Sequence, residues 1–274
     1  MFSALGALVG FYVAVALIAL PLGYAIPAAW KTGPLGIGIE TLPIVVAALF
    51  VSHLLVRRRL ATWEMMGWRG RVRSAKAFGL GAGLGIAMAL LALLIAMGPG
   101  SARLSLSGEP LTAYLPAALA VVIGLAVAAL AEELLFRGFP LARLAQPIGK
   151  VGASVTLAAV FAAVHMANPE ATTFGLINIG LASLVLSAAF LTPGGLPAAW
   201  GLHLGWNAGL GLADAPVSGI ALRLPTLEFH TGGPLWVTGG AFGPEGGLSA
   251  TVAMGLALMW LGRSAARAGE GGPT

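Results

Sequence analysis

The chain has 274 residues, of which 58% are hydrophobic and only 9% charged, with a mean hydropathy of +0.92. Soluble domains carry about 25% charged residues, so this composition excludes a soluble globular core and implies an all-α polytopic membrane protein. The net charge of +5 rests on few groups and reflects membrane topology rather than a nucleic-acid partner. Cysteine is absent, which excludes disulfides, thiolate metal sites and a thiol nucleophile.

A spanning helix needs about 20 apolar residues. The chain offers about eight such stretches, near 3–26, 36–56, 77–98, 112–136, 150–167, 173–191, 196–213 and 248–262. They predict one integral-membrane helical domain over 1–264, followed by a disordered tail over 265–274. The first stretch is long and no Lys or Arg precedes it, so it reads as a transmembrane helix rather than a cleaved signal. The segment 60–76 mixes Leu60, Trp63, Met66 and Trp68 with basic residues. It reads either as an interfacial helix or as a solvated basic loop. The Gly- and Pro-rich segment 214–247 reads as a flexible loop, with a structured cap or re-entrant lid as the alternative, and His230 and Glu245 are unassigned.

Basic residues set the expected orientation. Arg57, Arg58, Arg59, Arg69, Arg71, Arg73 and Lys76 follow the second stretch. Arg137, Arg143 and Lys150 follow the fourth, and Arg263 and Arg267 the last. Placed on one side, these are twelve of the fifteen cations, leaving Lys31, Arg103 and Arg223 opposite. The bias predicts a multi-pass protein of the cell inner (plasma) membrane with both termini cytoplasmic.

Few ionisable groups fall within the apolar stretches, and ionised groups at membrane depth are costly. The fourth stretch ends in Glu132 and Glu133, the fifth carries His165, and the seventh carries His203. Residues at i and i+4 share a helix face. Glu133 is so placed to pair with Arg137, which leaves Glu132, about 100° round the helix, free to face elsewhere. Phe161 shares a face with His165, where it can wall a pocket and hold the imidazole. His203 shares a face with Asn207, so an imidazole and an amide point into the same space. His53 lies one turn before a basic cluster and reads as an interfacial side chain. Ser154, Ser183 and Ser187 lack a Gly-x-Ser-x-Gly setting, so a serine nucleophile is unsupported.

One carboxylate, two imidazoles and an amide suit a water-activating site with an oxyanion stabiliser. They equally suit a divalent metal such as Zn²⁺ held by Glu132, His165 and His203. Both lead to hydrolysis of an acyl or peptide bond. Two other readings use the same residues: a non-catalytic membrane scaffold or regulator, and a proton-coupled transporter.

The ordered trio Glu-Glu-x-x-x-Arg (Glu132 to Arg137), Phe-x-x-x-His (Phe161 to His165) and His-x-x-x-Asn (His203 to Asn207) resembles the CAAX-protease and bacteriocin-processing family. That family includes the type II CAAX prenyl endopeptidases and the abortive-infection proteins, and 194–207 is similar to its bacterial members. The resemblance covers about 112–212. It implies an eight-helix intramembrane endopeptidase acting on a peptide or protein substrate in or at the lipid bilayer. In that reading Glu132 and His165 activate the attacking water, and His203 and Asn207 stabilise the oxyanion. Glu133, Arg137 and Phe161 support them. Family members are commonly called metalloproteases. No His-Glu-x-x-His zinc helix is present here, which favours a glutamate-activated water. A prenylated substrate is not carried over, since a peptide, a bacteriocin leader or a membrane protein fits the same chemistry.

Overall fold

The computed structural model describes residues 3–98 and 102–270, with side chains described as far as Arg263. In chain order the helices are α1 (Ala4–Ala25), α2 (Gly36–Arg57), α3 (Arg71–Met97), α4 (Leu111–Phe136), α5 (Phe139–Val164), α6 (Thr173–Leu191), α7 (Gly195–Gly211), the single turn α8 (Leu235–Thr238) and α9 (Leu248–Glu270). Two short strands, β1 (Arg103–Leu106) and β2 (Leu227–His230), form an antiparallel ribbon, with Arg103 opposite His230 and Leu106 opposite Leu227. The protein is all-α and polytopic, as its composition dictates. The tail expected to be disordered, 265–274, lies outside the described residues at 271–274 and lacks described side chains at 265–270.

The helices are apolar all round, yet each buries only part of its circumference. On α1 the buried residues are Leu8, Phe11, Val15 and Ala19, one stripe at helical spacing. Leu5, Leu17 and Leu20 are exposed and suit contact with lipid. This is the pattern of a helix whose solvent on one face is hydrocarbon.

Each of the expected stretches falls on a helix. Five helical stretches among the described residues are long and apolar enough to cross a membrane: α1, α2, α3, the α4–α5 unit Leu111–Ala167, and α6. Helix α7 has 17 residues, about 26 Å at 1.5 Å per residue, which is short of the ~30 Å hydrocarbon core. Length and composition therefore mark these five stretches, one of which holds both α4 and α5, and leave the expected count of eight unconfirmed.

Helix α7, the carrier of His203 and Asn207, is seated by glycine. A Cβ at Gly201 would stand 2.1 Å from the Phe78 carbonyl oxygen, and one at Gly205 would stand 2.2 Å from that of Ala82. From the other side, a Cβ at Gly85 would meet the Leu202 carbonyl oxygen at 2.2 Å. The backbones of α3 and α7 thus lie against each other, as small residues permit. Helix α4 is fixed by hydrogen bonds to carbonyls across the bundle. The Trp200 indole donates to Ala126 at 2.8 Å and the Tyr12 hydroxyl to Leu135 at 2.9 Å.

Three local expectations need correction. Of the segment 60–76, residues 71–76 are the first turns of α3, whereas 60–70 form neither a helix nor a fully solvated loop: Ala61 and Met66 are buried, and Gly67, at a φ of 88°, lies against the start of α7. Helix α5 begins at Phe139, eleven residues before the predicted start at Lys150, and its axis is broken at Gly149 (φ 74°, ψ 166°). Before the break lies a separate stretch in which Phe139, Pro140 and Leu141 are buried and only residues from Gln146 on are exposed; after it comes the apolar segment. The 214–247 segment is ordered, not a flexible loop. Its strand β2 pairs with β1, its Phe242 is fully buried, and its backbone at Glu245 and Gly247 accepts hydrogen bonds from the Asn178 amide of α6 at 2.8 and 2.9 Å. Together β1, β2 and this segment cap the end of the bundle where α7 terminates.

Candidate active site

The site begins with the last turn of α4. Glu133 and Arg137 are completely buried and paired at 3.1 Å, as the i, i+4 spacing requires. Arg137 therefore belongs to the interior and not to the basic surface used to orient the chain. One carboxylate cannot satisfy five guanidinium hydrogens. A second guanidinium nitrogen donates to the carbonyl and hydroxyl of Ser183 on α6, at 3.1 and 2.8 Å. The guanidinium also lies 4.7 Å from the centre of the Phe161 ring, in cation–π range. Helices α4, α5 and α6 are tied together at this one charge.

Glu133 has a second duty. Its Oε1 sits 2.8 Å from His203 Nδ1. A carboxylate held by Arg137 only accepts, so Nδ1 carries the hydrogen and the ring is fixed with Nε2 directed away. Nε2 stands 3.8 Å from Glu132 Oε2, beyond direct hydrogen-bond length but within the reach of one bridging water. Oε2 of Glu132 is enclosed and has no hydrogen-bond partner, although the side chain as a whole is one-third exposed. His203 thus stands between two carboxylates: one orients it and the other faces it across a gap.

His165 lies in the short 3-10 turn that follows α5. Its Nδ1 donates to the Phe161 carbonyl at 2.7 Å, and its ring packs on that of Phe161 with centroids 4.5 Å apart. Phe161 also stands edge-on to His203, at 6.4 Å. One aromatic ring therefore walls both imidazoles and receives Arg137 on its face. Asn207 is one turn beyond His203 and nearly buried.

Glu132, His165, His203 and Asn207 all line one cavity of about 240 Å³. Three helices bring them there. Most of the remaining wall is apolar, from residues such as Leu125, Met88 and Ile179, with polar side chains from Thr41 on α2, from Asn168 after α5, and from Ser218 and Glu245 in the 214–247 segment. His53 is exposed and does not line it.

Sequence reasoning missed two participants. Ser183 was set aside as a nucleophile, and its role as an acceptor for Arg137 follows only from the packing of α6 on α4. Glu245 takes no role from the sequence because the segment around it has no periodicity. The one local signal is a carboxylate among apolar and glycine residues, Ala241 to Gly247. For a metal, the proposed donor set does not fit: among the described residues no three His, Asp or Glu side chains are grouped so as to hold an ion. In both His165 and His203 it is Nδ1 that is committed, to the Phe161 carbonyl and to Glu133, while Nε2 is not.

The arrangement offers an unpartnered carboxylate oxygen, two oriented imidazoles and an amide around a small enclosed volume. No curated protein matches the chain significantly. A family model does: residues 114–209 match the type II CAAX prenyl endopeptidase, Rce1-like family. The match spans every motif residue from Glu132 to Asn207 and agrees with the family resemblance that those motifs carry.

Proposed function

We propose that the protein is an intramembrane endopeptidase in which Glu132 is the general base. Glu132 takes a proton from a water lying between its Oε2 and the His203–His165 side of the cavity. The water attacks the scissile carbonyl carbon. The resulting oxyanion is held by the Asn207 amide and by His203, which donates from Nε2 when the ring carries both protons. Glu133, fixed by Arg137, holds the other proton of that ring. Glu132 then returns its proton to the leaving amine as the C–N bond breaks. His165, steadied by Phe161, completes the polar wall that receives the water.

The observation that carries this reading is the position of His203. It lies 2.8 Å from one glutamate and 3.8 Å from the other, at a cavity that Asn207 and His165 also line. The Rce1-like match supports a membrane endopeptidase at the level of the family. The substrate class proposed is a peptide or protein segment in or at the bilayer, with or without a prenyl group. We also propose the plasma membrane as the site, with both termini cytoplasmic, because eleven cations remain on that side after Arg137 is withdrawn. Zinc has no place in this mechanism.

The test is cleavage of a peptide library by purified protein in liposomes, with Glu132→Ala and His203→Ala beside the wild type. Loss of cleavage in both supports the reading. Cleavage that survives both changes removes the site. Proton-coupled solute uptake that is lost with Glu132→Gln, in place of any cleavage, would assign these residues to transport.

A further inference from the structure

The cavity holds a second carboxylate that the proposed reaction does not use. Glu245 is 2% exposed and enters the cavity from the 214–247 segment. Its Oε1 accepts from the Trp206 indole at 2.8 Å. Its Oε2 accepts from the Ser218 backbone N–H and, at 3.1 Å, from the Ser218 hydroxyl. All three donors are neutral.

Buried carboxylates are normally matched by a cation, and this one is not. No Lys or Arg lines the cavity among the described residues. The buried guanidinium of Arg137 is committed to Glu133 and Ser183. Two carboxylates, Glu132 and Glu245, therefore face one volume of about 240 Å³, with only imidazoles as potential counter-charge. Oε1 has one donor where it can accept two, so Glu245 retains capacity toward the cavity. Its neighbour Trp206 directly precedes Asn207 on α7, and all three residues line the cavity that holds the proposed oxyanion site.

We infer that Glu245 is a specificity subsite for a positively charged group of the bound peptide, an ammonium or a guanidinium. This deepens the endopeptidase reading and rests on it for the identity of the ligand as a peptide. The cation would supply the counter-charge that the fold omits, and it would be selected over a neutral group of equal size. The same chemistry can come from a Lys or Arg side chain or from a free amino terminus.

The experiment uses the full chain in lipid nanodiscs and peptide pairs that differ by Lys against norleucine, scanned through each position. A further pair compares free with acetylated amino termini. Binding and cleavage are measured in parallel on wild type, Glu245→Gln and Ser218→Ala. The wild type should favour the cationic member at one position by about tenfold or more, as charge pairs removed from water do. Glu245→Gln keeps an oxygen acceptor for Trp206 and should erase the preference. Ser218→Ala loosens the clamp but keeps the charge, and should retain it. A side-chain preference that persists on acetylated peptides identifies Lys or Arg as the source; a preference confined to the free terminus identifies the amine. Equal binding of all pairs by the wild type overturns the inference. So does an unchanged preference in Glu245→Gln, or a uniform loss across all peptides, which would make Glu245 a structural clamp only. Cleavage abolished by Glu132→Ala without any cation preference leaves the protease reading standing and removes the subsite. Cation-selective binding without cleavage does the reverse.

Discussion

Glu132 and Glu133 are adjacent in sequence and opposite in circumstance. Glu133 is fully buried, paired with Arg137 and bonded to His203. Glu132 faces the cavity with one oxygen unpartnered. A general base contributes about 10²–10⁴ in rate, so Glu132→Gln should lower kcat by that order with little change in thermal stability. Asn207→Ala should lower kcat by about 10²–10³, the usual worth of one oxyanion donor, with KM nearly unchanged. Steady-state kinetics on one peptide separates these outcomes. Arg137 is a different case, because its removal strands a buried carboxylate. Arg137→Ala should destabilise the protein by about 3–5 kcal/mol. Ser183→Ala removes one acceptor from the guanidinium and should cost about 1–3 kcal/mol. Thermal melts in detergent check both. If Ser183→Ala melts with the wild type, the α4–α6 tie is of no consequence. The Glu133–Arg137 and His203–Asn207 relationships were legible in the sequence because helical spacing alone puts i and i+4 on one face. Ser183 was not, because nothing local says which serine of α6 meets the guanidinium.

At the scale of the elements, the apolar stretches were legible from composition, and the spans of α1, α2, α4 and α6 agree with the expected ranges to within a residue or so. The exceptions have local causes. The broken axis of α5 turns on Gly149, whose positive φ no hydropathy pattern reveals. The capping segment 214–247 has no period of either 3.6 or 2. Its order comes from contacts distant in sequence, such as Asn178 with Glu245 and Gly247. The contact of α3 with α7 sets where His203 stands, and it depends on glycines whose Cβ atoms would strike backbone. Gly205→Val should force the two helices apart and cost at least the ~1–3 kcal/mol of an overpacked core. It should reduce activity together with stability, since His203 is two residues away. Melting temperature and kcat measured on the same preparation test this. A variant that loses neither shows that the helices separate freely.

For the whole molecule, the bundle places a small polar cavity inside an apolar body and closes one end with an ordered cap. Water reaches few groups there, which makes each hydrogen bond and charge count for more than at a surface. The donor geometry supplies no three-ligand metal group among the described residues. Peptide cleavage should therefore persist in EDTA or 1,10-phenanthroline at concentrations that strip zinc. Inhibition reversed by added Zn²⁺ would return Glu132, His165 and His203 to the metal reading. The family match covers the stretch from Glu132 to Asn207, while the cap with Glu245 and the cavity-lining residues of α2, α3 and α9 lie outside it. On the proposed reading, chemistry rests on the matched core and selection of the substrate on the cap.

The most direct measurement is the turnover of one purified peptide in proteoliposomes by wild type and by Glu132→Gln, compared at equal thermal stability. The mechanism predicts a fall of about 10²–10⁴ in kcat with the fold intact. Turnover by Glu132→Gln at the wild-type rate would contradict it.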